Sequence, residues 1–361
     1  MSRQRILIVR LSAIGDVVHT LPALAALRRA MPEAHLAWIV ESLSAPLLEG
    51  HPTIDELIVY PRARWKERGY LRSLPRDIRG FFGQMRRRRF DVAIDFQGLT
   101  KSALIPWLSS IPTRIGFGGE DGREISRWFY TARLTPPDEV RHVIHRNLHL
   151  LAGLGITTQS VEFPFPDLSA ERERMDRRLE QQGIHSRERL VFLNPGAGWE
   201  TKRWPAEYFG RLAGLIVREN DCGVLMTWGP GEEALVGTAL GEVPADLRER
   251  VHRAPPTTLR ELAALLDRCS VMVGGDTGPV HLAAARGVPV VGIYGGSDPK
   301  RNGPITGPAC IQIIENTEVE CIHCWQVHCD NPPPKCLITI KPETVFEAVR
   351  AIWNRFGVPP S

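Results

Sequence analysis

The chain lacks most of the features that would place it in a special environment. No apolar run approaches the ~18 residues needed to span a bilayer, which argues against an integral membrane protein. No segment is low in complexity, and no unit of ~20 to 50 residues repeats, so solenoids and propellers are set aside. The start, MSRQRILIVRLSAIGD, is basic, but its apolar stretch is short and has no small-residue cleavage site. It is expected to be a first β-strand rather than a signal peptide. The G-x-x-x-x-G-K-[ST] phosphate loop is missing, and the Gly turn after residue 195 lacks the third glycine of the dinucleotide fingerprint, so hydride transfer is disfavoured. No aromatic-rich module accompanies the basic residues, which weighs against nucleic acid as a partner.

What is present is an ordinary globular composition, 43% hydrophobic and 24% charged. With 361 residues the chain is too long for one core and implies two domains. Seven cysteines, an odd number without a secretion signal, point to reduced thiols and a cytoplasmic location. The net charge of +4 is unevenly spread: residues 61–90 carry eleven Lys or Arg against Glu67 and Asp77, a local +9 that leaves −5 for the rest. Such a segment is either a solvated helix face or an attractor for nucleic acid, an acidic membrane surface or a phosphorylated substrate.

Strand and helix patterns alternate. Strands are expected at Arg5 to Val9, His35 to Val40, Leu57 to Tyr60 and Val92 to Asp95. Helices are expected at Pro22 to Ala30, around Ala45 to Leu48, at Lys101 to Leu108 and over 141–153. VEFPFPDLSA, with Pro164 and Pro166, has the character of an extended linker. A Glu- and Arg-rich helix follows at Ala170 to Gln182, and a second α/β series starts at Leu190. Repeated βα units on both sides of a linker predict an α/β protein of two doubly wound domains facing a cleft, with bounds 1–165 and 166–341. The final helix, from Pro342 to Phe356, carries Val345, Val349, Ile352 and Trp353 on one face and is expected to pack back on the first domain.

Four motifs fall where parallel strands end, the edge at which such sheets bind ligands. VMVGGDTGPVHLAAARGVPVVGIYG (271–295) is a strand, a Gly-rich turn, a short helix and another strand. Asp276, Thr277 and Gly278 form a turn whose backbone N–H groups favour a phosphate, and His281 lies one helical turn inside. By itself such a turn is equally a capped helix start. In ILIVRLSAIGDVVHTLPAL, Asp16 sits at the mouth of a helix, either as a cap or as a general base for a substrate hydroxyl. LVFLNPGAGWETKRWP runs from a strand into Gly196-Ala197-Gly198 and then Lys202, a candidate pyrophosphate clamp. VLMTWGPGEEALV places Glu232 and Glu233 after a further strand, as ribose acceptors or as an acidic first helical turn.

Together LSAIGDVVHTLPAL, DFQGLTKSAL, NPGAGWETKRWP, WGPGEE and GGDTGPVHLAAARGVPVVGIYGGSDP resemble glycosyltransferase family 9, the ADP-heptose:lipopolysaccharide heptosyltransferases, over nearly the whole chain. The resemblance implies a GT-B fold of two Rossmann-like domains, acceptor domain first and nucleotide-sugar domain second. It implies an inverting, metal-independent transfer of heptose from ADP-heptose to the inner core of lipopolysaccharide. Asp16 would deprotonate the acceptor; Lys202, Thr277, Gly278 and His281 would neutralise the donor phosphates. Asp276 would help hold the donor, and Glu233, with Glu232 almost equally placed, would bind the ribose. No Asp-x-Asp motif occurs where the donor would bind, and no metal or other cofactor is expected. Arg62, Arg64, Lys66, Arg123 and Arg141 would grip the anionic lipid A-Kdo acceptor at the inner face of the cytoplasmic membrane. A family member with another donor or acceptor, and a nucleotide-binding module without turnover, are the alternatives.

One segment departs from the pattern: CIHCWQVHCDNPPPKC spaces Cys321, Cys324, Cys329 and Cys336 as C-x2-C-x4-C-x6-C. Four thiolates suffice for a structural zinc ion, but the paired knuckles of a strong zinc signal are missing, and reduced or redox-paired thiols are the other reading.

Overall fold

The computed structural model describes residues 3–65, 74–185, 188–305 and 311–355. Two compact units divide the chain, the first ending at Asp167 and the second beginning at Leu168. The first unit starts with β1 (Arg5–Val9), α1 (Ile14–Val18), α2 (Leu21–Ala30), β2 (His35–Glu41) and β3 (Glu56–Tyr60). Next come α3 (Arg62–Trp65), α4 (Leu74–Arg87), β4 (Val92–Asp95) and α5 (Thr100–Leu108). It closes with β5 (Thr113–Phe117), β6 (Ala132–Leu134) and α6 (Val143–His149). The second unit opens with α7 (Ser169–Gln181), β7 (Leu190–Asn194), α8 (Ala206–Glu219), β8 (Gly223–Met226), α9 (Glu233–Gly241) and β9 (Val251–Arg253). It continues through α10 (Leu259–Leu266), β10 (Cys269–Gly275), α11 (Gly278–Ala285), β11 (Val290–Tyr294) and α12 (Pro299–Asn302). β12 (Ile311–Glu315), α13 (Lys335–Ile338) and α14 (Pro342–Arg355) complete it.

Each unit holds one six-stranded sheet, in the orders β3-β2-β1-β4-β5-β6 and β12-β11-β10-β7-β8-β9. Every pairing is parallel. Renumbered within its own unit, each sheet has the doubly wound order 3-2-1-4-5-6, whose strand succession reverses between its first and fourth strands. The central strands are buried on both faces, as the continuous apolar runs ILIV and VFL require. In the first unit β1, β2 and β4 pack on α4 through Phe82 and Met85 and on α5 through Ile105. In the second, Phe209, Leu212 and Ile216 of α8 cover β7 and β8.

The terminal helix differs from expectation. α14 packs on α8, β11 and β12, and buries Val345, Phe346, Val349, Ile352 and Trp353 in the second unit's own core. Its apolar stripe thus completes the layer that α8 begins. No helix among the described residues is long and apolar enough to cross a membrane.

Candidate functional site

The reversal point of a doubly wound sheet opens a crevice at the carboxyl ends of the two strands flanking it. In the first unit those strands are β1 and β4. Arg10 follows β1 directly and is buried, with its Nη1 donating to the Phe96 carbonyl. Its Nη2 pairs with Asp16 Oδ1 at 2.6 Å, while the backbone N–H of Ala13 donates to Asp16 Oδ2 at 3.1 Å. Asp16 itself stays 37% exposed, so its carboxylate is oriented from below and open above. Gln97 Oε1 accepts from the Leu11 backbone N–H at 2.9 Å and locks the loop after β4 to the loop after β1. Beneath it lies fully buried Asp95, which accepts from the Tyr130 and Ser102 hydroxyls, each at 2.7 Å, and from the Gln97 N–H at 2.8 Å. Burial pushes the Asp95 carboxyl above its ordinary range despite these donors. Its role is to shape the turn.

At the reversal point of the second unit, β7 and β10 lie side by side. Asp276, just beyond β10, joins two side chains: Lys202 Nζ at 2.6 Å from Oδ2 and His281 Nε2 at 2.8 Å from Oδ1. The aspartate side chain is only 4% exposed, and that of Lys202 14%. Burial alone would raise the Asp276 pKa; the His281 hydrogen bond and charge and the Lys202 charge outweigh it and hold the carboxyl well below the usual range. Thr277 caps α11 in extended geometry, leaving the first helical N–H groups to face the crevice. Asn194, at the end of β7, donates to the Gly196 carbonyl at 2.9 Å and to Thr277 Oγ1 at 3.4 Å. Gly275 is obligatory here, because a Cβ would collide with the Lys202 carbonyl.

Of the two neighbouring glutamates, Glu232 reaches this turn. Its carboxylate accepts the Gly229 N–H at 2.8 Å and lies so close to Gly196 that a Cβ there would overlap it. Glu233, the first residue of α9, is exposed.

The basic residues are less uniform. Arg62 pairs with Glu41 at 3.0 Å, and Lys101 reaches the same carboxylate at 3.5 Å, so these two cations meet at the end of β2. Arg64, Arg123 and Arg141 are exposed, and Arg123 is anchored through its backbone to the Gly98 carbonyl at 3.0 Å. Lys66 lies outside the described residues.

The cysteine segment does not assemble a metal set: no group of three or more His, Cys, Asp or Glu that could hold an ion exists among the described residues. Cys321, Cys324, Cys329 and Cys336 are free thiols. Burial, together with the other three sulfurs, pushes the Cys336 thiol up to about 11. The interleaved histidines are engaged elsewhere, His323 with Glu315 at 2.8 Å and His328 with Glu200 at 3.5 Å. The segment instead straps the turn at Glu200 and the loop at Gly295-Gly296. Backbone bonds join His323 to Gly295 (2.9 Å), Trp325 to Gly296 (2.7 Å) and Glu200 to Val327 (2.9 Å). The Lys202 ammonium consequently sits 4.3 Å from the Trp199 ring and 5.9 Å from the Trp325 ring.

Arg10, Gln97, Lys101, Asn194 and Trp325 are not among the residues that the sequence motifs nominate. For Arg10 and Asn194 a signal was available, a polar residue closing a fully apolar parallel strand. For Trp325 there was none.

Two Rossmann-like units with this strand order form the GT-B fold of solved heptosyltransferases. Escherichia coli ADP-heptose lipopolysaccharide heptosyltransferase II matches with a TM-score of 0.78 and 21% identity over 98% of this chain and 100% of that one. A family 9 glycosyltransferase from Veillonella parvula matches at 0.79 and 24% identity, covering 98% and 97%. Residues 78–333 match the description glycosyltransferase family 9 (heptosyltransferase), and the chain belongs to that family of sugar-transferring enzymes. Among curated relatives, lipopolysaccharide heptosyltransferase 1 of Pseudomonas aeruginosa is 28% identical over 96% of this chain and 98% of its own length. The namesake from Escherichia coli K12 is 27% identical over 82% and 89%.

Proposed function

We propose that the chain transfers heptose from ADP-heptose to the Kdo-lipid A region of lipopolysaccharide, with inversion and without a divalent metal, at the cytoplasmic face of the inner membrane. The observation that carries the reading is the pair of reversal points. One presents an oriented, open carboxylate at Asp16; the other presents a lysine, a histidine and a helix N-terminus around a buried aspartate. Solved heptosyltransferases of the family with ADP and with ADP-2-deoxy-2-fluoro heptose support the choice of donor.

In this reading the acceptor hydroxyl gives its proton to Asp16 while its oxygen attacks the anomeric carbon and the bond to the ADP oxygen breaks. Attack opposite the leaving group inverts that carbon. Arg10 is the positioning residue for the base, since it fixes the carboxylate without covering it. Charge develops on the diphosphate as it leaves, where Lys202, His281 and the N–H groups of Thr277 and Gly278 stabilise it. Asp276 holds Lys202 and His281 in place, so their charge costs no reorganisation during the reaction. Glu232, rather than Glu233, is the better placed ribose acceptor because it already lines the Gly196 turn. Arg62, Arg64, Lys66, Arg123 and Arg141, joined by Lys101, take the acceptor's phosphates and acidic sugars.

The test is a mass spectrum of product after purified protein meets ADP-heptose and a truncated Kdo-lipid A acceptor, with and without a chelator. A product heavier by one heptose in both arms is expected. No product from ADP-heptose would remove the donor assignment, and loss of product with the chelator would remove metal independence.

A further inference from the structure

Trp128 is 68% exposed, the most exposed large apolar side chain among the described residues, and it is not isolated. It belongs to the short helical turn Ser126–Phe129, which packs on the C-terminal half of α5. There Trp107, 49% exposed, meets Phe129 edge-to-face at 5.5 Å, and Ile125 beside them is 55% exposed. Guanidinium groups rim this apolar surface. Those of Arg127 and Arg133 each lie 5.8 Å from the Trp128 ring centre. Arg86, on the exposed basic face of α4, bonds the Leu108 carbonyl at 3.0 Å at the end of α5. The nearby carboxylate of Glu124, itself exposed, accepts the Thr100 N–H at 3.0 Å.

We infer that this face, built from Trp107, Ile125, Trp128, Arg127 and Arg133, docks the first unit on an anionic lipid bilayer. Indole rings are amphipathic and partition to the boundary between headgroup and acyl chain, while flanking guanidiniums meet lipid phosphates. Two exposed tryptophans with arginine on the rim combine both affinities in one patch. An exposed apolar surface of this kind is seldom left without a partner. The inference deepens the membrane-face location proposed above and rests on it for the choice of bilayer over a protein.

The experiment is vesicle co-sedimentation of the full chain with phosphatidylcholine alone and with added phosphatidylglycerol. Wild type is expected to sediment with the anionic vesicles. The Trp107→Ala/Trp128→Ala variant should lower the partition coefficient at least about tenfold. Arg127→Glu/Arg133→Glu should lower it about twentyfold or more, with most of the salt dependence lost. Far-ultraviolet circular dichroism and a thermal melt verify that both variants keep the first unit folded, and ADP titration verifies that the second is intact. Equal partitioning of wild type and variants, or no binding by wild type, overturns the inference. So does a dimer that becomes a monomer on Trp128→Ala in sedimentation velocity, because the face then belongs to a second copy. Heptose transfer to a short-chain, water-soluble acceptor reports on the enzyme reading separately, so either can fail alone.

Discussion

Replacing Asp276 by Asn tests the core of the donor site. The substitution keeps size and shape but removes the charge shared by Lys202 and His281. At 2.6 Å the attraction between Lys202 and Asp276 is about 6 kcal/mol for an effective dielectric near 20, before desolvation is subtracted. Breaking a buried pair from one side costs about 3–5 kcal/mol, because the other charge is left buried without compensation. At about 2–4 °C per kcal/mol for a domain of this size, the second unit's melting temperature should fall by about 6–20 °C. Lys202→Met should also destabilise, leaving the carboxylate with His281 alone. The double variant should lose less than the sum of the singles, because neither charge remains to be compensated. Thermal and urea denaturation followed by circular dichroism on all four proteins completes the cycle. Additivity within about 0.5 kcal/mol would show that the two groups do not stabilise each other, and the reasoning would fall. The pH dependence has a definite sign. The folded carboxyl lies below its unfolded value of about 3.9, so its stabilisation is complete above that value and fades as pH falls further. The wild-type advantage over Asp276→Asn should therefore shrink in acid.

Asp16→Asn should lower heptose transfer by about 10²- to 10⁴-fold with ADP affinity unchanged in calorimetry; retained transfer would discard Asp16 as base. Arg10→Gln should reduce turnover more than Arg10→Lys while the donor KM stays constant, since lysine preserves the charge beside Asp16; equal loss in both would assign Arg10 to packing. Tyr130→Phe should cost about 1–3 kcal/mol in urea denaturation by taking one donor from buried Asp95. Gly196→Ala should weaken ADP binding by pushing Glu232 off its turn, and unchanged affinity would separate Glu232 from the nucleotide.

The central strands and long helices were legible because their patterns are strong. β1 and β4 came out with the bounds the apolar runs Arg5 to Val9 and Val92 to Asp95 suggest, and α11 follows its Gly-Pro start. The interior strand β5, which opens on the polar pair Thr113-Arg114, and the short edge strands β6, β9 and β12 were not legible. ARL and VHR are three residues each, and an edge strand half covered by solvent has no continuous apolar run to announce it. The helix expected over 141–153 begins at Val143 and becomes a tighter turn over Leu150–Leu154 that ends at left-handed Gly155.

Spacing along the chain also placed Asp16, Lys202, Asp276 and His281 at strand ends, because parallel strands deliver their C-terminal residues to one edge whatever lies between. Sequence could not reveal that Lys202 and His281 share one carboxylate, for they lie 74 and 5 residues from it and meet only once β10 and the Gly196 loop are side by side. It could not choose between Glu232 and Glu233, which differ by one step around a helix start that rotates one side chain to the turn and the other to solvent. Nor could it show that the cysteine segment straps Glu200, Gly295 and Gly296 through backbone bonds, since such bonds depend on fold geometry and carry no residue signature. Local chemistry and periodicity thus specified the parts, and tertiary packing decided which parts touch.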